Sequence, residues 1–129
     1  MTVVSGLTPE ETRRVLAVVM DLARAGSTSE LVEFVAHGLP VDAADLVGNT
    51  LLMLAAYHGH ADTVRALIRL GADPDLCNAR DQTPIVGALF KGADDVVAVL
   101  RRAGADLDRG TPTARAAAAA FGRTRLLAE

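Results

Sequence analysis

Equivalent residues recur every 33 positions along this chain, and a period of that length restricts the fold before anything else does. Gly26, Gly59 and Gly92 keep the step, and so do Gly38, Gly71 and Gly104. Leu31, Val64 and Val97 follow it, as do Phe34, Leu67 and Leu100, and Asp42, Asp75 and Asp108. Thr50 pairs with Thr83, Leu52 with Ile85, and Gly71-Ala72-Asp73 with Gly104-Ala105-Asp106. A repeat of this size is one supersecondary unit that cannot bury its apolar face alone and does so against its neighbours.

One period reads as helix, turn, helix, loop. Over 50–58 the spacing predicts a short inner helix with Thr50 as N-cap and Leu51, Leu52, Leu54, Ala55 and Ala56 giving an almost wholly apolar surface. Gly59 is placed to stop it in the left-handed conformation that helix C-termini favour. From about Asp62 to Leu70 a second, outer helix sets Val64, Leu67 and Ile68 on one stripe and Arg65 and Arg69 on another, with Gly71 closing it. The stretch 72–81 is a polar, turn-rich connection to the next unit.

Residues 49–60, Asn-Thr-Leu-Leu-Met-Leu-Ala-Ala-Tyr-His-Gly-His, followed by Gly71-Ala72-Asp73, resemble the ankyrin repeat, and Gln82-Thr83-Pro84-Ile85 through Gly104-Ala105-Asp106 does too. The resemblance covers about half the chain strongly. It implies an all-α solenoid of about four stacked helix-turn-helix repeats, with short β-hairpin-type loops and modified capping repeats. The units run approximately over 8–41, 42–74, 75–107 and 108–129 within a single domain, 1–129. The family's Thr-Pro-Leu-His tetrad is Thr50-Leu51-Leu52-Met53 in one unit and Thr83-Pro84-Ile85-Val86 in the next. The tetrad histidine is missing from both, together with the hydrogen bond it usually makes between repeats.

End repeats face water on one side and are expected to be atypical. At the N-terminal end, Thr8-Pro9-Glu10-Glu11 is a capping box with a first-turn proline. Val15, Leu16, Val19, Leu22 and Ala23 follow on one face, with Arg13, Arg14, Asp21 and Arg24 largely elsewhere. Ala17 is the counterpart of Thr50, so this inner helix starts about nine residues early, on the order of 13 Å of extra length. The first outer helix is expected over Ser29 to Ala36. The last unit is three residues short in the loop 108–112. No full hairpin is expected there. Thr111-Pro112 is read as the start of a helix lined by Ala116 to Ala120, before Gly122 and a tail with Leu126 and Leu127.

A net charge of −3 argues against nucleic acid, whose phosphates select a basic footprint. No run approaches the roughly 20 apolar residues of a membrane span. The stretch Met1 to Glu10 carries neither the basic nor the apolar segment of a secretory leader, and a lone cysteine, Cys77, forms no internal disulfide. The expectation is a cytoplasmic protein, monomeric or self-associating.

Few residues point to chemistry. His58, His60 and Asp62 could be read as a metal cluster, but no fourth ligand follows at convincing spacing, and in this repeat a histidine after the glycine bonds loop backbone. Cys77 near Arg80 raises a redox reading through a lowered thiol pKa. These residues define the alternative function, a redox- or metal-responsive accessory protein using Cys77 and His58/His60. Asp73, Asp75, Asp106 and Asp108 are read as loop-ordering acids. Arg109, Arg115, Arg123 and Arg125 have no acid among them in sequence before Glu129 and are read as a solvated face. No catalytic residues, cofactor or metal are expected.

The resemblance implies instead a protein partner held on a concave face of hairpin tips and inner-helix ends. The tips are Leu46, Val47 and Asn49, then Ala79, Arg80 and Gln82. The helix ends are Tyr57 and His58, then Phe90 and Lys91, then Phe121. Only four residues in the chain are Phe, Tyr or Trp, and three of them fall at these helix ends. Tyr57 and Phe90 are 33 apart, one above the other in a stack. With no attached effector in the sequence, masking, scaffolding or stabilising that partner is the expected role.

Overall fold

The threonine hydroxyls that precede the inner helices decide where several of those helices begin. A computed structural model describes residues 6–128. Met1–Ser5 and Glu129, and with them most of the leader reading, lie outside the described residues. The Thr8 hydroxyl accepts from Glu11 N at 3.1 Å while the Glu11 carboxylate accepts from Thr8 N at 3.0 Å. These two bonds complete the capping box and open α1, Pro9–Ala25. Thr50 accepts from Met53 N at 3.1 Å and opens α3, Leu51–Tyr57. Thr113 accepts from Ala116 N at 3.1 Å and opens α7, Ala114–Ala120. At α5, Pro84–Lys91, Thr83 occupies the cap position without a side-chain bond, and Pro84 at the first turn gives up no needed N–H.

Each inner helix turns back into an outer one: α2, Thr28–Ala36; α4, Ala61–Arg69; α6, Asp94–Arg102; and a closing 3₁₀ turn, Thr124–Leu127. α1, α3, α5 and α7 pack in succession as one layer, and α2, α4, α6 and the 3₁₀ turn as the other. All of Leu51–Ala56 is buried, because α3 has α1 on one side, α5 on the other and α4 behind it. The core runs along the stack through Val19, Leu31, Leu52, Leu67, Ile85, Leu100 and Ala118. Alanines at 55, 56, 88, 117 and 118 let inner-helix backbones approach closely.

Two glycines are required by these close approaches. Gly26 ends α1 at φ 73°, and a Cβ there would lie 2.6 Å from His60 Nδ1. The same imidazole reaches Arg24 O through Nε2 at 2.7 Å, stapling the second helix pair to the end of α1. Gly48, at φ 80°, lets the first hairpin tip sit on the second, since a Cβ would come within 3.1 Å of Asn78 Cα. The tips are joined in series: Ala79 N donates to Val47 O at 2.8 Å and Thr111 N to Asp81 O at 2.9 Å.

The connections form no extended strand among the described residues. One antiparallel bridge, Ala44 with Thr50, marks the first hairpin. Side-chain amides and carboxylates do the rest. Asp45 accepts from Val47 N, Asn49 N and Asn49 Nδ2, and Asn78 Oδ1 accepts from Arg80 N and Gln82 N. The loop acids act as expected and also link units. Asp42 accepts from Asp73 N, Asp73 from Asp75 N, Asp75 from Asp106 N and Asp106 from Asp108 N, all at 2.8–3.0 Å.

The last unit corrects one expectation. Thr111-Pro112 does not start the helix; Thr113 does. Subtracting the three missing residues maps Thr83 onto Thr113, whose hydroxyl accepts from Ala116 N. Thr111 completes the neighbouring finger instead, its hydroxyl donating to Asp81 Oδ2 at 2.7 Å.

Candidate functional site

The inner helices end on one face, and each brings its last residues to the same height. Tyr57 ends α3, Phe90 stands one residue before the end of α5, and Phe121 caps α7. The Tyr57 and Phe90 rings stack at 6.2 Å between centroids with planes 10° apart, and Phe121 meets Phe90 edge-on at 5.8 Å. This is a continuous aromatic column along the stack. It is not interior packing: Tyr57 is 37%, Phe90 59% and Phe121 44% exposed. Gly87 sits one helical turn before Lys91, and a Cβ there would already touch Tyr57 Cδ1 at 3.5 Å.

The column lies in a groove of about 640 Å³ between the hairpin tips and the helix ends. Of the sequence-expected residues, Val47, Asn49, Tyr57, His58, Arg80, Gln82, Phe90 and Phe121 line it. Lys91 stands beside it, its Nζ 5.1 Å from the centre of the Tyr57 ring. Leu46 and Ala79 are exposed at the tips but do not line the groove; Leu46 is 83% exposed and Val47 54%. The carboxamides of Asn49 and Gln82 are both engaged with Asn78 Nδ2, at 2.9 Å each, so they shape the fingers first.

Sequence reasoning missed Arg24, Met53, Val86 and Pro112 among the lining residues. Met53 and Val86 occupy the tetrad's histidine register, one helical turn before Tyr57 and Phe90, and that spacing was the signal that could have placed them. Arg24 is about two turns from Ala17 along the lengthened α1, a position that the 33-residue step maps onto Tyr57.

His58 packs edge-on against Tyr57 at 5.3 Å. Partial burial, and then the charges of His60, Lys91 and Arg24, push its pKa below the ordinary histidine value, so the ring is neutral at pH 7. His60 is committed to Arg24 O, and Asp62 to Arg65 at 2.6 Å. No three His, Cys, Asp or Glu side chains among the described residues are grouped to hold a metal ion.

Cys77 is not where the redox reading needs it. Its neighbours are Arg109 and Asp81 rather than Arg80, and burial pushes the thiol above the ordinary cysteine value. A thiol so placed holds its proton and is a poorer nucleophile. The C-terminal arginines are not free of acids either. Arg115 pairs with Asp108 of its own unit at 3.0 Å, and Arg123 and Arg125 share Asp94, brought from the preceding unit, at 2.6 and 3.6 Å.

Paired helices stacked in two layers, joined by interlocked fingers, define a helical-repeat solenoid with a groove on one side. The chain belongs to the ankyrin-repeat family: the family's profile, ankyrin repeats in three copies, matches residues 19–111. Ankyrin repeats are generally protein–protein interaction modules. Among its relatives is PA3287 of Pseudomonas aeruginosa, named as an ankyrin repeat protein. It is 47% identical over 55 residues, 43% of this chain and 32% of that protein. Mouse ankyrin repeat domain-containing protein 63 is 32% identical over 105 residues, 78% of this chain and 27% of that one. Mouse oxysterol-binding protein-related protein 1 is 38% identical over 84 residues, 64% of this chain and 9% of that protein. The chain thus spans about a third or less of the length of these relatives. No helix among the described residues is long and apolar enough to cross a membrane.

Proposed function

We propose that this chain is a non-catalytic interaction module that holds a folded protein partner on its concave groove. The observation that carries the reading is the exposed column of Tyr57, Phe90 and Phe121. Aromatic rings in a shallow, water-accessible groove give up much unfavourable hydration when covered, and Tyr and Arg dominate binding energy at protein interfaces. Arg80 and Val47 widen the patch on the finger side. Rigid presentation adds to this: the rings sit on helix ends fixed by the core, so little ordering entropy is lost on binding.

The test is affinity capture from the native cell lysate, wild type beside the Tyr57→Ala/Phe90→Ala variant, read by mass spectrometry. A partner retained by wild type and lost by the folded double variant is the expected result. A partner retained equally by both would place binding elsewhere and overturn the groove.

A further inference from the structure

Among the described residues no carboxylate lines the concave groove, although the chain carries 16 Asp and Glu against 13 Lys and Arg. The charged or chargeable groups that line it are Arg24, His58 and Arg80, and Lys91 stands at the Tyr57 ring. Arg24 is held by Asp21 at 2.8 Å, but Arg80 and Lys91 make no ion pair among the described residues. The acids of the two fingers keep their charge but lie outside the lining: Asp45 is turned onto its own loop, and Asp81 onto the Thr111 hydroxyl. Asp42, Asp73, Asp75 and Asp106 accept from loop backbone and lie outside it too. An acidic molecule therefore presents an apolar column bordered by two unneutralised cations.

Resting on the function proposed above, we infer that the partner offers this groove an acidic segment that also carries apolar side chains. The apolar groups would cover the aromatic column, and the carboxylates would meet Arg80 on the finger side and Lys91 on the helix side. Two other occupants fit less well. A second copy packed groove to groove would bring like charges together around the two-fold axis. A single-stranded nucleic acid would gain stacking, but two free cations and a net charge of −3 offer little to a chain with a phosphate at every residue.

The probe is a phage-displayed random-peptide library selected on the purified chain, repeated on the Arg80→Glu/Lys91→Glu and Tyr57→Ala/Phe90→Ala variants. Each variant is checked first for unchanged thermal unfolding. The expected result is enrichment of peptides combining Asp or Glu with Leu, Phe or Trp. A synthesised winner should lose about tenfold in affinity on Arg80→Glu/Lys91→Glu, as two exposed charge pairs of modest strength imply, and should weaken with salt. Enrichment without acidic bias that still needs Tyr57 and Phe90 would overturn the acidic class and leave the groove reading standing. Enrichment indifferent to Tyr57 and Phe90 would remove the groove reading itself. No enrichment, basic winners, tighter binding of a fluorescent oligo-dT, or a mass that doubles with concentration in wild type alone would each overturn the proposal.

Discussion

Thr50 and Thr83 stand at the same register of adjacent repeats and are both buried, yet only the Thr50 hydroxyl is hydrogen-bonded. Both tetrads lack the histidine, and the difference lies at the cap itself: Thr50 accepts from Met53 N, whereas Thr83 makes no side-chain cap bond. A buried hydroxyl without a partner costs about 1–3 kcal/mol, and removing it in favour of an isosteric methyl relieves that cost. Thr83→Val is therefore expected to raise unfolding stability by about 1 kcal/mol, whereas Thr50→Val, which deletes a working cap, lowers it by about 1 kcal/mol. Urea melts of both variants measure this, and equal losses would contradict the assignment. Glu11 gives a pH test. Hydrogen bonds first from the Thr8 backbone and then from its hydroxyl hold the carboxyl below the ordinary glutamate value. Its contribution is full above the unfolded value of about pH 4.3 and is lost as pH falls through the lower folded value. Glu11→Gln should flatten the acid limb of the stability profile and change nothing in its alkaline limb. At this scale the sequence made the caps at Thr8 and Thr50 visible, because a threonine three residues ahead of a free N–H is a local signal. The environment of Cys77 was not visible: Arg109 and Asp81 reach it through loop folding, while Arg80, nearer in sequence, points into the groove.

Neighbouring helix pairs are held by a few specific contacts as well as by apolar area. His60 lies in the space that Gly26 leaves and bonds to Arg24 O, so the joint between the first and second pairs is a ring against a glycine. Gly26→Ala should cost about 2 kcal/mol or more, from its left-handed backbone and the contact with the imidazole. His60→Ala should cost about 1 kcal/mol through its hydrogen bond. The double variant should lose less than the sum of the two, since the small side chain at 60 removes the clash. Strict additivity in denaturant melts would mean that ring and glycine do not meet. Helix boundaries were legible to within a residue at α3, where Thr50 caps and Gly59 closes, and at α4, where Gly71 alone closes. The start of α7 was misread by two residues, where the pair Thr111-Pro112 imitated a start that lies at Thr113. The ion pairs of the C-terminal arginines were illegible for a different reason: Asp94 is brought to Arg123 by stacking one unit on another, and no local pattern encodes it.

Across the whole molecule, repetition turns a local choice into a continuous surface. One aromatic near the end of each of α3, α5 and α7 becomes a column because the stack brings these helix ends together, with rings 5.8–6.2 Å apart. That column was legible in the 33-residue spacing of Tyr57 and Phe90; the charge of the groove was not, because it depends on which acids the loops turn away from it. Stability and binding are separable in such a stack, since the rings are exposed while the core lies between the helix layers. The most direct measurement is the affinity of the captured partner for wild type and for Tyr57→Ala/Phe90→Ala by isothermal titration calorimetry, with thermal unfolding recorded on the same samples. The account predicts a loss of about a hundredfold in affinity, as two hot-spot side chains imply, with stability changed by no more than about 1 kcal/mol. Undiminished affinity would contradict it, and so would a collapse of the melting temperature, which would make the rings core rather than contact surface.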